Sequence, residues 1–348
     1  MSKLSKLVIC IGVIALAAIT LVGCGPTKRE ATKSGSFFIF DTFVTVKVFS
    51  HDIEDRHFRE IESILKNIDR TMNRQLKGSE INQVNQQAGI QAVSVSAETF
   101  KVVQRAIWYA ELSGGRFDPT VGPLVDLWGI GSKDGKLPDE AILAHALKLV
   151  NYKDIVLDED EQSIKLARAD MSLDLGAIAK GYAADQVAEY LKSQRFDSAI
   201  IDLGGNILAM GTKPNSELWL IGIQNPESIR GKNIGTLQVN NKTVVSSGTY
   251  ERFFVQDGVH YHHILDPMTG QPIRNHLLSV TIITGNSIDA DALSTAAFSM
   301  GLKKGLAFAE SLEDVEGFFI TDDHRIYTTS GLTDQLNIHD ASYTQNKQ

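Results

Sequence analysis

Leu173-Asp174-Leu175-Gly176-Ala177-Ile178-Ala179-Lys180-Gly181-Tyr182-Ala183-Ala184-Asp185 is the stretch around which the chain is organised. Met171 to Leu175 alternates apolar residues with Ser172 and Asp174, as a strand end does. Gly176 breaks the run, and an alanine-rich helix is expected from about Ala177. A strand–glycine–helix passage leaves unpaired N–H groups at the helix start, where phosphate oxygens bind. Asp174 and Lys180 flank that start with opposite charges. The same residues also fit a tight turn with a surface Asp and Lys. No Gly-x-x-x-x-Gly-Lys-Ser/Thr pattern is present, so this is not a P-loop.

Outward from this stretch, strands cluster and helices interrupt them irregularly. Phe37 to Phe49 reads as one strand with Thr42, Val44, Val46 and Val48 on a single face. Ile61, Ile64, Leu65, Ile68 and Met72 recur at helical spacing, predicting an amphipathic helix over about 52–72. Ser96 caps a second helix with the stripe Phe100, Val103 and Ile107. Between Arg116 and Gly131, two prolines and repeated glycines exclude regular structure, and the bulky apolar residues there imply a buried or ligand-lining loop. A short helix is expected from Pro138 to about Val150. Strands are expected at 198–203, 218–224, 235–239, 243–246 and 277–284, a helix at 289–300, and a closing hairpin around Asp322-Asp323. The order predicts an α+β fold of mixed, largely antiparallel sheets with flanking helices rather than regular βαβ alternation.

The amino end carries Lys3 and Lys6 and then an unbroken apolar run from Leu7 to Val22, closed by Leu21-Val22-Gly23-Cys24. The run is short for a membrane span and fits a signal peptide over 1–23. Leu-x-Gly-Cys resembles a bacterial lipobox, in which Cys24 becomes the lipidated first residue; an uncleaved anchor is the alternative. Either way the domain is expected on the extracytoplasmic face of the cell membrane. Residues 24–36, ending in GPTKREATKSGS, read as a flexible tether. The domain proper is expected over 37–340, with 341–348 as a polar tail. Cys10 and Cys24 are the only cysteines, so the mature domain has no thiol for disulfides or catalysis. The whole chain carries a net charge of −8, and losing the two leader lysines takes it to −10. That balance argues against nucleic acid.

Three groups of residues carry chemistry. Asp291 and Thr295, spaced i, i+4, share a helix face and offer oxygen ligation suited to Mg²⁺. Taken alone, they fit better a first-turn acid and a threonine bonded back to the backbone. His262 and His263, if in a strand, point to opposite faces, so one of them is a candidate general base. Asp118 and Arg252 sit in glycine-flanked turns and fit either ligand contacts or structural ion pairs.

LDLGAIAKGYAAD, GGRFDPTVGPLVDLWGIG, DLGGN, SSGTYERFF, HHILDPMTGQP and DADALSTAAF together resemble the ApbE family of FAD:protein FMN transferases, in the family's order and over most of the mature chain. The resemblance implies a bilobal catalytic domain that cleaves FAD and transfers FMN to a Thr or Ser hydroxyl of an acceptor protein bearing an Asp-x-x-Ser/Thr-Gly-Ala-like motif. AMP leaves, and Mg²⁺ is required. It assigns Asp291, Thr295 and the Ala177 carbonyl to the metal, with Ser294 beside them. Phe40, Gln75, Arg116, Phe117, Asp118, Asp174, Lys180 and Ile264 would line FAD. His263 would be the base for the acceptor hydroxyl, with Asp291 also acting in catalysis. Two departures stand out: Phe40-Asp41-Thr42 replaces Met-Gly-Thr, and Gln75 takes a position often held by Tyr or Asn. Asp266-Pro267-Met268-Thr269-Gly270 partly imitates the acceptor motif, but Gln271 breaks it and the segment reads as a turn. A Mg²⁺-dependent FAD pyrophosphatase and a non-catalytic FAD-binding lipoprotein are the rival readings.

Overall fold

The computed structural model describes residues 32–332 and 335–346; the leader, Cys24 and the first part of the tether lie outside them. The first element is a hairpin. β1 (Thr32–Ile39) pairs antiparallel with β2 (Thr42–Phe49). Phe40 and Asp41 form its two-residue turn with φ of 58° and 55°, the left-handed pair that a type I′ hairpin requires. A single strand over 37–49 is therefore wrong: neither turn residue is glycine, so the alternation runs through the reversal unmarked. Residues 32–36, read as tether, are the outer half of β1.

A nine-stranded sheet runs β1-β2-β6-β7-β10-β13-β14-β15-β17. Here β6 is Ala199–Leu203, β7 Asn206–Met210, β10 Lys242–Gly248, β13 Leu277–Thr284, β14 Glu316–Thr321, β15 Arg325–Thr328 and β17 Thr344–Asn346. Every neighbouring pair is antiparallel except β15–β17. Seven α-helices are present among the described residues, and the fold is α+β as expected. The residues after 340, read as a polar tail, include β17, which pairs with β15.

The middle of the sheet is buried on both faces. On one side lie α1 (Asp55–Met72), α6 (Ala179–Ser193) and α7 (Ser287–Glu310), over a core that takes Val46, Val245, Val280 and Ile282 from the strands. On the other side β8 (Trp219–Gln224), β9 (Asn233–Val239) and β16 (Leu336–Ile338) form a small sheet. It packs Trp219, Ile221 and Leu237 against Val244, Ile283 and Phe318. Adjacent strand residues point to opposite faces, so Val244 and Val245 serve different cores.

Four further expectations are corrected. The loop at 116–131 contains a helix, α4 (Gly122–Trp128), because Pro123 sits in its first turn, where a missing N–H costs nothing. Met171 to Leu175 is extended but joins no sheet. Leu173 exchanges hydrogen bonds with the Asn85 side chain, Nδ2 donating at 3.1 Å and Oδ1 accepting at 2.7 Å; the Asp174 N–H donates to the Pro119 carbonyl at 2.8 Å. Side chains and a loop satisfy this backbone in place of a ladder. The helix that follows starts at Ala179, not Ala177. The helix expected over 289–300 runs from Ser287 to Glu310, broken at Gly301 (φ 75°).

α6 and α7 meet at two points. A Cβ on Gly181 would lie 2.2 Å from the Ser287 carbonyl oxygen, so only glycine permits the approach. One turn on, the Asp185 carboxylate accepts the Ser287 and Ile288 N–H groups at 2.7 and 2.8 Å, capping α7 from the neighbouring helix. Gly181→Ala should therefore lower stability by about 1–3 kcal/mol in urea unfolding. Burial pushes the Asp185 carboxyl up to about 6, despite those two hydrogen bonds. The folded state thus holds this proton more tightly than the unfolded chain, and the group costs stability as pH rises from about 4 through 6. Urea midpoints should show the wild type gaining on Asp185→Asn as pH falls from neutral; a difference independent of pH would contradict the assignment.

Candidate active site

A cavity of about 560 Å³ opens where the β1–β2 tip, the end of α1, the 116–118 loop and the starts of α6 and α7 converge. All twelve site residues named from the sequence line it: Phe40 on the hairpin tip; Gln75 after α1; Arg116, Phe117 and Asp118 on the loop; Asp174, Ala177 and Lys180 at the α6 entry; His263 and Ile264; and Asp291 and Thr295 on α7.

The α6 start sets the geometry. The Gly181 N–H would reach the Ala177 carbonyl in a regular helix. Instead it donates to Asp291 Oδ2 at 2.9 Å, and the Ala177 carbonyl accepts no hydrogen bond among the described residues. The Ala179 and Tyr182 N–H groups are likewise taken, by the Leu175 and Ile178 carbonyls. Expected as a phosphate cradle, the helix start instead holds the buried Asp291 carboxylate, favoured there by the helix dipole. Lys180 Nζ donates to the Gly176 carbonyl at 3.0 Å and reaches Asp291 Oδ1 at 3.4 Å.

One turn along α7, Thr295 Oγ1 lies 3.2 Å from Ser247 Oγ, which also meets Ser294 Oγ at 2.8 Å. Ser294 in turn donates to the Asp291 carbonyl at 2.9 Å. Beside the α6 start the cleft is lined by the buried Asp291 carboxylate, the Thr295 hydroxyl and the Ala177 carbonyl, which has no hydrogen bond among the described residues. No cluster of three or more His, Cys, Asp or Glu suited to a metal exists among the described residues. An oxygen set with a single negative charge fits Mg²⁺, which keeps several waters and takes substrate phosphates.

The histidine pair divides as strand geometry requires. β11 (Phe253–Gln256) and β12 (Val259–His262) form a separate hairpin. His262 is buried, its Nε2 donating to the Ile273 carbonyl (2.7 Å) and its Nδ1 accepting the Ile264 N–H (3.3 Å), so its role is structural. His263 faces the cleft. Its Nδ1 lies 3.3 Å from the Arg252 carbonyl, which fixes the hydrogen on Nδ1 and leaves Nε2 an acceptor. Burial, with Arg252 and His262 nearby, pushes this imidazole down to about 3.

Other residues are held more tightly than sequence reveals. The Asp118 carboxylate accepts from the Thr120 N–H and hydroxyl at 2.8 and 2.6 Å and from the Tyr152 N–H at 3.0 Å, so it shapes the loop. Asp174 Oδ1 accepts the Gly176 N–H at 2.8 Å, and Arg116 pairs with Asp266 at 3.5 Å. Phe117 and Ile264 are buried in the cleft wall. Sequence reasoning missed Arg74, which lines the cleft, grips Asp126 at 2.6 Å and donates to the Leu173 carbonyl at 3.1 Å. It also missed Arg230, paired with Glu251 at 3.0 Å. No local pattern marks either, since their partners lie far along the chain.

Comparison with known proteins agrees with this architecture. The ApbE family profile matches residues 40–319. The FAD:protein FMN transferase of Treponema pallidum is 35% identical over 349 residues, covering 96% of each chain. One from Klebsiella pneumoniae is 39% identical over 292 residues, covering 82% of this chain and 88% of that one. The ApbE protein of Thermotoga maritima superposes with a TM-score of 0.81 at 31% identity, covering 88% of this chain and 99% of that one. For the flavin transferase ApbE from Vibrio cholerae the TM-score is 0.77 at 28% identity, covering 87% and 98%. Likeness this continuous, in sequence and in backbone alike, means that the chain belongs to the ApbE family.

Proposed function

We propose that this transferase is a Mg²⁺-dependent FAD:protein FMN transferase, anchored outside the cytoplasm by a lipid on Cys24. The observation that carries the reading is the diverted Gly181 N–H. It leaves a carbonyl, a buried carboxylate and a hydroxyl in one cleft with Lys180 and a neutral His263. Mg²⁺ held by Asp291, Thr295 and the Ala177 carbonyl would neutralise charge on the FAD pyrophosphate. Phe40, Phe117 and Ile264 supply apolar surface for the flavin and adenine rings, and Lys180 supplies a cation for phosphate oxygens. The acceptor's Thr or Ser oxygen attacks the FMN-side phosphorus, and the bond from that phosphorus to the AMP phosphate oxygen breaks. His263 Nε2 takes the hydroxyl proton, and AMP departs with the displaced oxygen. No helix of the described residues is long and apolar enough to cross a membrane.

Incubation with FAD, Mg²⁺ and a protein bearing Asp-x-x-Ser/Thr-Gly-Ala, followed by mass spectrometry, should show an FMN adduct. Free FMN alone would indicate hydrolysis by water, and unchanged FAD a carrier. Asp291→Ala should abolish transfer, and Thr295→Ala should impair it less, since water replaces a neutral ligand. Near-normal transfer by Asp291→Ala at low Mg²⁺ would remove the metal assignment. His263→Ala should cost about 10²–10⁴-fold, partly recovered at high pH and not by added Mg²⁺. Because His263 titrates near 3, the wild-type rate should show no histidine limb between pH 8 and 5; a limb near 6.5 would mean an ordinary, solvated imidazole. Cys24→Ala should lose detergent partitioning and lipid mass, and a variant processed like wild type would sink the anchor.

A further inference from the structure

Five basic side chains line the cleft: Arg74, Arg116, Lys180, Arg230 and Arg252. Four are matched by a carboxylate, at 2.6, 3.5, 3.4 and 3.0 Å respectively. The guanidinium of Arg252 makes no ion pair or hydrogen bond among the described residues. Its placement is nonetheless fixed. Phe253 pairs with His262, and one step beyond, the His263 N–H donates to the Arg252 carbonyl at 3.1 Å. Arg252 and His263 thus face each other at the root of the β11–β12 hairpin, where opposed Cβ atoms stand about 5 Å apart. Gly131 leaves room for the arginine stem: a Cβ there would sit 3.1 Å from Arg252 Cδ.

We propose that Arg252 is the phosphate-gripping residue of the cleft, its free guanidinium fork taking two non-bridging oxygens of the phosphate under attack. The inference rests on the transferase reading. A planar fork with five donors matches phosphate oxygens in a way that a single ammonium does not. The other four cations would first have to give up a carboxylate. The position also explains why the cation stands beside the base. Arg252 offsets the negative charge on the phosphoryl group while His263 takes the proton from the attacking alcohol, and the same positive charge helps to keep His263 unprotonated.

The test uses the mature protein without acceptor. Binding of FAD and of riboflavin, which has the flavin ring and no phosphate, is followed by flavin fluorescence for wild type, Arg252→Ala and Arg252→Lys. Arg252→Ala should weaken FAD binding by about 10- to 100-fold with riboflavin binding unchanged, and Arg252→Lys should fall between. Equal weakening of both ligands would make the arginine structural and overturn the proposal. So would FAD binding unchanged in Arg252→Ala. A wild type that binds no FAD would remove the transferase reading itself.

Discussion

One hydrogen bond, from the Gly181 N–H to the Asp291 carboxylate, fixes the arrangement on which the site depends. It forms because α6 and α7 approach so closely that a methyl group at residue 181 would strike the Ser287 carbonyl. A buried carboxylate without partners is expensive; here it receives a backbone donor, the positive end of a helix and a nearby ammonium. The same bond takes from Ala177 the donor that a regular helix would give it. A stabilising contact and an exposed carbonyl are two faces of one event. A bond to a charged group of this kind contributes about 1.5–3 kcal/mol, comparable with what one well-buried side chain contributes.

Around this centre the cleft is close to electrically balanced. Five Lys and Arg side chains face six carboxylates, those of Asp41, Asp69, Asp118, Asp174, Glu251 and Asp291. The chain as a whole is strongly acidic, so binding a polyanion depends on where the balance is broken locally. It is broken at the root of the β11–β12 hairpin, where among the described residues the Arg252 guanidinium has no acid to answer it.

What was readable in the sequence follows from how local each cause is. Of the α1 stripe, Ile61, Leu65, Ile68 and Met72 are buried and Ile64 half-buried as its spacing requires, and Ser96 caps its helix by a contact within three residues. The β1–β2 reversal was hidden because Phe40 and Asp41 adopt left-handed backbone without glycine. The extended run at 171–175 looked like a strand, yet its partners are Asn85 and Pro119, many residues away. The short strands β4 (Ile155–Asp158), β5 (Ser163–Leu166) and β7 offered too few alternations to read. The residues that the family motifs pick out line one cleft. That the helix start was already occupied by a carboxylate, and that Asp118 was committed to its own loop, depended on contacts no linear pattern contains.

Among the described residues, the nine-stranded sheet ends on β1 at one side and on β17 at the other. At one end the last strand, β17, is only three residues long and runs parallel to β15. It gives a stranger little to lengthen. At the other end β1 is longer, but its outer half is Thr32-Lys33-Ser34-Gly35-Ser36, polar and carrying a lysine. Short edges and edge lysines discourage sheet-to-sheet growth. Among the described residues, the shortness of β17 and the lysine on β1 thus work against self-association, a matter of solubility rather than of catalysis.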